Sequence, residues 1–367
     1  MKNILKANKT LGFLTFSLLR GAICLGAVAV IVTFWVLLPC AGKTPKLLGS
    51  EFAVHFLDVG HGDCAIVRTP DNKTFVIDGG EGSVYPKIKN YLETIVKVRS
   101  IDYMINTHPH ADHCGGLVGV LRDFSVDTVY RPITRSTSSY EVPQSREATH
   151  NTGKPDVIYD NFITESYKQA HNVEFIVAGI ILEGEGWELT FHTPDEEGII
   201  NGLRYINEIS PIMTLEYENK VFVLTGDAGA NGGTSSPEAR FAAQPRAHEI
   251  FGDGRATVLK TYLKVGHHGS NTASGDQFLD FIKPDIAIVS VGTRYPTLPN
   301  TQALQRIADA GAETYITRDS GNIVFTFGDI EQIIIGNYNA VNLSFIYVLA
   351  LFTSVVICFT IKGRSNA

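Results

Sequence analysis

The chain has 367 residues, with 31 lysines and arginines against 38 aspartates and glutamates, a formal net charge of −7. That length accommodates one large domain or two small ones, and the acidic balance excludes a dedicated electrostatic clamp for duplex nucleic acid. The five cysteines form no CxxC or CxxCH pattern, which excludes a dithiol redox motif and c-type haem attachment.

Gly21–Leu38 is an uncharged apolar run that follows Lys2, Lys6, Lys9 and Arg20. It is long enough to cross a bilayer; the alternative is a cleaved signal peptide, which exports the same domain. Cys40 follows Leu37-Leu38-Pro39, a poor match to a lipoprotein cleavage site. Lys43-Thr44-Pro45-Lys46 reads as a linker. Strands are then expected at Phe52–Val59, Cys64–Arg68 and Thr74–Ile77, the last two joined by a turn at Pro70-Asp71-Asn72. Pro86–Val98 has Ile88, Tyr91, Leu92 and Ile95 on one helical face.

Ile101–Thr107 alternates like a strand and runs directly into His108-Pro109-His110-Ala111-Asp112-His113. Residues two apart in an extended chain face the same side, so His108 and His110 are placed to grip one ion. After a turn, Asp112 and His113 address a second. Gly115-Gly116 lets the backbone bend into a helix from Leu117. Imidazole with carboxylate suits Zn²⁺ or a similar first-row ion such as Mn²⁺.

Arg131–Asn172 is polar and is expected to be a surface excursion near the site, a variable insertion spanning about 131–178. Strands resume at Trp187–His192. A hairpin, Ile212–Tyr217 with Val221–Thr225, turns through Glu218-Asn219, and Asn231–Pro237 reads as a loop. Val258–Val265 and Asp285–Val291 are strands. Thr301–Ala310 is a helix that ends at Gly311, and Tyr315–Ile316 and Ile323–Phe327 complete the domain. Ser344–Ile361 is a second apolar run, followed by Lys362 and Arg364. Basic residues flank both runs on the outer side, so both chain ends are expected in the cytoplasm and the region between them across the membrane. The expected organisation is a tail and transmembrane helix over 1–42, a hydrolase domain over 43–340 and a C-terminal transmembrane helix with a basic tail over 341–367. Cys64 and Cys114 are left for the soluble part, as small buried residues or as one disulfide.

An internal echo links the halves. Lys73-Thr74-Phe75-Val76-Ile77-Asp78-Gly79-Gly80 is similar to Lys220-Val221-Phe222-Val223-Leu224-Thr225-Gly226-Asp227, and His108 in the first half is answered by Gly266-His267-His268-Gly269-Ser270 in the second. Two β-rich halves, each delivering Asp and His at strand ends, would put one shared site between two packed sheets.

These phrases resemble the metallo-β-lactamase-fold hydrolases, and among them the hydrolase domain of ComEC-type DNA-uptake competence proteins. The resemblance covers about residues 52–328. It rests on His55-Phe56-Leu57-Asp58-Val59-Gly60-x-Gly62-Asp63, Ile77-Asp78-Gly79-Gly80, the His108–His113 motif, Asn207 with Ser210, Thr225-Gly226-Asp227, His267-His268-Gly269-Ser270 and Arg318-Asp319-Ser320-Gly321. It implies an α+β fold, a four-layer αβ/βα sandwich, here flanked by an N-terminal and a C-terminal transmembrane helix. By matching positions it implies His108 and His110 on metal 1, Asp112 and His113 on metal 2, Asp227 bridging, and His267 rather than His268 completing metal 2. Asp78 would orient the His motif by hydrogen bonds. His268, Asn207, Ser210 and Ser270 would lie near the ions or the substrate. His61 stands where the branch has Gln, and Leu298-Pro299 where it has His-Pro. The wider fold offers metal 1 a third imidazole, for which His150, His171 and His192 are the candidates.

The implied chemistry is hydrolysis by metal-activated water, with Asp112, Asp227 and His110 as its catalytic residues and two divalent ions, Zn²⁺ or Mn²⁺, as cofactors. A phosphodiester, nucleic acid included, fits two cations best. The alternatives are a non-nucleic ester or amide, such as an envelope phosphoester or a β-lactam, and a metal-stabilised binding module without turnover. Arg131, Arg135, Arg294 and Arg318 are either phosphate contacts or surface arginines. The membrane is the expected partner, with the catalytic domain on its extracytoplasmic side.

Overall fold

Alternation decides the layers. In β1 (Phe52–Phe56) the residues Phe52, Val54 and Phe56 point to one face while Ala53 and His55 point to the other, and all five are buried. A strand apolar on both faces must be covered on both. The computed structural model describes residues 52–133, 157–196, 206–230, 233–252, 259–328 and 331–336; all fall in the compact unit Pro45–Asn339. The two apolar runs lie outside the described residues, among which no helix is long and apolar enough to cross a membrane.

β2 (Ala65–Arg68), β3 (Thr74–Ile77), β4 (Ser100–Ile105), β5 (Ser125–Pro132) and β6 (Ala170–Ile176) follow β1 into one sheet. The chain then builds a second sheet from β7 (Ile181–Gly184), β8 (Trp187–Phe191), β9 (Met213–Tyr217), β10 (Lys220–Leu224), β11 (Lys260–Lys264), β12 (Ile286–Val289) and β13 (Glu313–Ile316). β14 (Asn322–Phe327) and β15 (Gln332–Gly336) return to the first sheet. The strand orders are β15-β14-β1-β2-β3-β4-β5-β6 and β13-β12-β11-β10-β9-β8-β7.

Between the sheets lie Phe52, Phe56, Phe75, Phe191, Phe222, Tyr262 and Phe325, with Phe222 stacked on Tyr262 at 4.3 Å between ring centroids. The outer face of the first sheet packs against the helices Tyr85–Tyr91, Leu117–Asp123 and Val157–Gln169 through Ile88, Leu117, Val120 and Phe162. The outer face of the second packs against Pro237–Ala242, Pro245–Phe251, Asp276–Ile282 and Thr301–Asp309 through Phe241, Ile250, Phe278 and Ile307. This is the expected αβ/βα sandwich.

The internal echo is structural. β3 pairs antiparallel with β2 and parallel with β4, and β10 pairs antiparallel with β9 and parallel with β11. Asp78 and Asp227 therefore leave equivalent strand ends, as do His108 and the His267-His268 pair, and all four turns emerge at one rim.

Part of the polar excursion is regular. Val157–Gln169 is a helix and β6 is an edge strand. Average polarity hid the stripe Tyr159, Phe162, Ile163 and Ser166, buried at helical i, i+3, i+4, i+7 spacing. Arg131 is a further correction. It is no surface arginine but is buried, with its guanidinium 4.6 Å from the Phe175 ring centroid. Asn231–Pro237, read as a loop, contributes its last residue to the helix Pro237–Ala242, capped by Ser236. Cys64 and Cys114 are both buried and are not joined in a disulfide, so the disulfide alternative does not hold.

His55 lies at the first interface between sheet and helix, its Nδ1 2.9 Å from the Tyr91 hydroxyl. Burial, reinforced by the charge of Arg68, pushes its pKa from 6.5 down to about 3. An unfolded chain takes up this proton near pH 6.5 and the folded one does not, so the associated stability is complete above that value and is lost as pH falls from 6.5 towards 3. His55→Asn retains a polar partner for Tyr91 and removes the titration. Its urea-unfolding free energy is expected to fall less steeply than that of the parent chain between pH 6.5 and 4.5; parallel curves would contradict this.

Candidate metal centre

β4 ends at Ile105, and Asn106 and Thr107 carry the chain to the His motif. Asp78, at the end of β3, holds this turn. Its carboxylate accepts from the Thr107 main-chain N–H at 2.8 Å, from the Thr107 hydroxyl at 2.7 Å and from the Asn106 amide at 3.2 Å. It also lies 2.8 Å from His113 Nδ1, which leaves His113 Nε2 to face inward. A short helix, Ala111–Cys114, then turns Asp112 and His113 back over the same spot. Gly116 makes the turn possible, because a Cβ there would meet the Gly79 carbonyl oxygen at 2.0 Å.

From the second sheet come Asp227, just after β10, and His268, just after β11. His268 Nδ1 lies 2.9 Å from the Ser290 carbonyl, so its Nε2 also faces inward. Four donors converge there. His113 Nε2 is 3.3 Å from His268 Nε2 and 3.3 Å from Asp227 Oδ1. His268 Nε2 is 3.3 Å from Asp112 Oδ2 and 3.5 Å from Asp227 Oδ1. Ligands about 2.0–2.2 Å from a tetrahedral ion lie about 3.3–3.6 Å from one another, so the spacing of His113, His268 and Asp227 fits one, and Asp112 Oδ2 stands wider of His113 Nε2, at 4.0 Å. Beside it, His108 Nε2 is 2.9 Å from His110 Nδ1 and 3.6 Å from Asp227 Oδ2. Asp227 thus presents one oxygen to each group. Asp227 Oδ1 is buried and lacks a hydrogen-bond donor of good geometry.

The electrostatics call for cations. Burial opposes charge on Asp227, but the imidazoles of His268, His113 and His108 outweigh it and hold the carboxyl well below its usual range. Asp112 is held low against burial by its contact with His268 and by the charge of His113. Burial also opposes charge on His268, yet Asp227, Asp112 and Asp63 raise it to about 9. His113 is raised in the same sense by Asp227 and Asp78. Protons on these two rings supply the positive charge that the carboxylates demand, and ions would supply it better.

Sequence reasoning placed His108, His110, Asp112, His113 and Asp227 together, and the structure brings them together. It differs at the pair: His268, not His267, joins the donor groups. Both residues adopt left-handed backbone, φ 45° and 53°, and that turn points His268 inward. His267 lies 3.2 Å from the Asn207 amide and 3.8 Å from Asp227 Oδ2, and is one-third exposed (34%). Ser210 Oγ accepts the Asp227 main-chain N–H at 3.2 Å. The Ser270 hydroxyl meets Thr272 Oγ1 in an exposed turn. His192 bonds Thr214 at 2.8 Å and stacks edge-on to Phe241, outside the donor groups. His171 pairs with Asp127 in solvent, and His150 lies outside the described residues.

Two contributors, Asp63 and Lys264, were missed, and His61, read as a buried or surface histidine ahead of a ligand, lies against a donor. Asp63 is buried beside His268 Nδ1, at 3.4 Å, and is ion-paired with the equally buried Lys264. Lys264 Nζ also donates to the Gly226 carbonyl at 3.0 Å. His61 Nε2 lies 3.2 Å from Asp112 Oδ2. The signal for Asp63 was present in the Gly60-x-Gly62-Asp63 phrase: a Cβ at Gly62 would meet the Asp112 carbonyl oxygen at 2.2 Å, so this loop is pressed under the motif.

Residues 57–197 match the family described as the metallo-beta-lactamase superfamily. It is similar to ComE operon protein 3 of Bacillus subtilis, at 22% identity over 76% of this chain and 34% of that one. It is similar to competence protein ComA of Neisseria gonorrhoeae, at 23% over 80% of this chain and 36% of that one. It is 32% identical to ribonuclease Z of Aeropyrum pernix over 28% of this chain and 33% of that one. The chain spans about a third of the length of these relatives.

Proposed function

We propose, on the premise of a metallo-beta-lactamase-superfamily domain, that this chain is a membrane-anchored hydrolase that cleaves a phosphodiester with a pair of divalent ions, Zn²⁺ or Mn²⁺. One observation carries the reading: Asp227 offers one oxygen to each of two adjacent donor groups. His108, His110 and Asp227 would hold one ion; Asp112, His113, His268 and Asp227 would hold the other. Two bound ions supply a water nucleophile at neutral pH and offset charge on a phosphoryl oxygen.

The chain's own residues do the positioning. Asp78 fixes the tautomer of His113 and the Ser290 carbonyl that of His268, so each ring offers Nε2. Asp112, the donor carboxylate with an edge towards solvent, is placed to take the proton of the attacking water, and Asp227 fixes the spacing. Similarity to ribonuclease Z and to competence proteins supports a nucleic-acid phosphodiester. Gly21–Leu38 and Ser344–Ile361 would anchor the domain, with basic flanks keeping both ends cytoplasmic.

Purified full-length chain is expected to hydrolyse bis-p-nitrophenyl phosphate and a single-stranded oligonucleotide, to spare nitrocefin, and to stop on addition of a chelator until Zn²⁺ or Mn²⁺ is restored. Turnover of nitrocefin alone, or phosphodiester turnover indifferent to chelator, would refute the proposal.

A further inference from the structure

The loop after β12 reaches the metal centre through two rings. Gly292 is pressed against the loop that follows β1; a Cβ there would meet Gly60 C and His61 N at 2.5 Å. That close approach sets Tyr295 edge-on to His61, with ring centroids 4.4 Å apart. His61 in turn lies 4.4 Å from the His268 ring and 3.2 Å from Asp112 Oδ2. Tyr295 is therefore fixed two ring contacts from a metal donor, yet it stays 43% exposed. The other exposed large apolar residues among those described lie on the helix Val157–Gln169, on β6 and β7 and on β15. Arg294 holds its guanidinium 5.4 Å from the centroid of the Tyr295 ring and pairs with Glu81.

We propose that Tyr295, held edge-on to His61 with Arg294 over one side of its ring, is a stacking platform for the nucleobase beside the scissile phosphate, so that the substrate is a single-stranded nucleic acid. This rests on the phosphodiester reading above. An aromatic face takes any base, and stacking on it tightens the grip on that base by about tenfold or more. A duplex keeps its base faces stacked on one another, and only an unpaired or flipped base can meet Tyr295. The chain's net charge of −7 gives a nucleic-acid backbone of either kind no general attraction, so grip falls to contacts with the base. Glu81 offsets Arg294, which leaves the ring face as the main determinant of grip.

The test compares full-length parent, Tyr295→Ala, Tyr295→Phe and Tyr295→Trp chains. Two substrates are used, a short single-stranded oligonucleotide and the same oligonucleotide with an abasic residue beside the cleaved phosphate. Tyr295→Ala is expected to raise KM for the intact strand about tenfold or more, with kcat within about twofold, and Phe and Trp to restore it. The abasic strand should be as poor for the parent as the intact strand is for Tyr295→Ala, and no poorer for the variant. Fluorescence anisotropy of a labelled strand reads the same loss in binding without turnover. Equal KM and equal anisotropy for parent and Tyr295→Ala would overturn the platform. So would a parent that cleaves bis-p-nitrophenyl phosphate but neither binds nor cuts an oligonucleotide, and this outcome leaves the phosphodiesterase reading intact. A parent that cuts no diester yet binds the strand through Tyr295 sinks the hydrolase reading and keeps the platform.

Discussion

Asp227→Asn is expected to abolish turnover, by roughly a thousandfold or more, because one change weakens both donor groups and removes the anion that sets their spacing. The folded state should survive: Asp227 lies at the end of β10 rather than inside the core between the sheets, and asparagine keeps its size. Metal content, read by elemental analysis on dialysed protein, should fall from two ions per chain to one or fewer. The His267-His268 pair supplies an internal control. His268→Ala removes a donor that faces Asp112, His113 and Asp227 and should lose an ion and the activity. His267→Ala removes a ring that faces Asn207 and should keep both ions. The opposite pattern would reverse the assignment.

Lys264→Met is expected to be the most destabilising single change near the site. Lys264 and Asp63 are both buried and ion-paired, with the Lys264 ammonium also satisfying the Gly226 carbonyl. Removing one partner of a buried pair costs about 3–5 kcal/mol, because the other charge stays behind without compensation. In a domain of this size that lowers the unfolding midpoint by roughly 10 °C. Adding Asp63→Asn removes both charges and should return most of the stability. A single variant as stable as the parent, or a double variant no better than the single, would show that the pair does not carry this role.

The ease of reading the site from sequence followed the distance over which its geometry is set. His108–His113 is one local peptide directly after β4, so its donors are brought together by a single turn. Asp78 and Asp227 were legible because the two hairpins repeat the same phrase. The choice between His267 and His268 was not, since it depends on two consecutive left-handed residues that obey no periodicity. Asp63 and Lys264 acquire their meaning only when the loop after β1 is pressed beneath Asp112 and the end of β11. Their types and positions said nothing of a pair formed across the two sheets. Arg131 misled for a related reason: a guanidinium is ordinarily solvated, and here the rings of Phe175 and Tyr167 cover it. The helix Val157–Gln169 was hidden by a polar average over a stretch whose buried stripe is only four residues deep.

Anomalous scattering at a metal absorption edge, from crystals of the full chain grown with Zn²⁺, bears most directly on the paired-ion centre. Two peaks are predicted with the Asp227 carboxylate between them, one about 2 Å from His108 Nε2 and His110 Nδ1, the other about 2 Å from His113 Nε2 and His268 Nε2. A single peak, or none within reach of Asp227, would contradict the account.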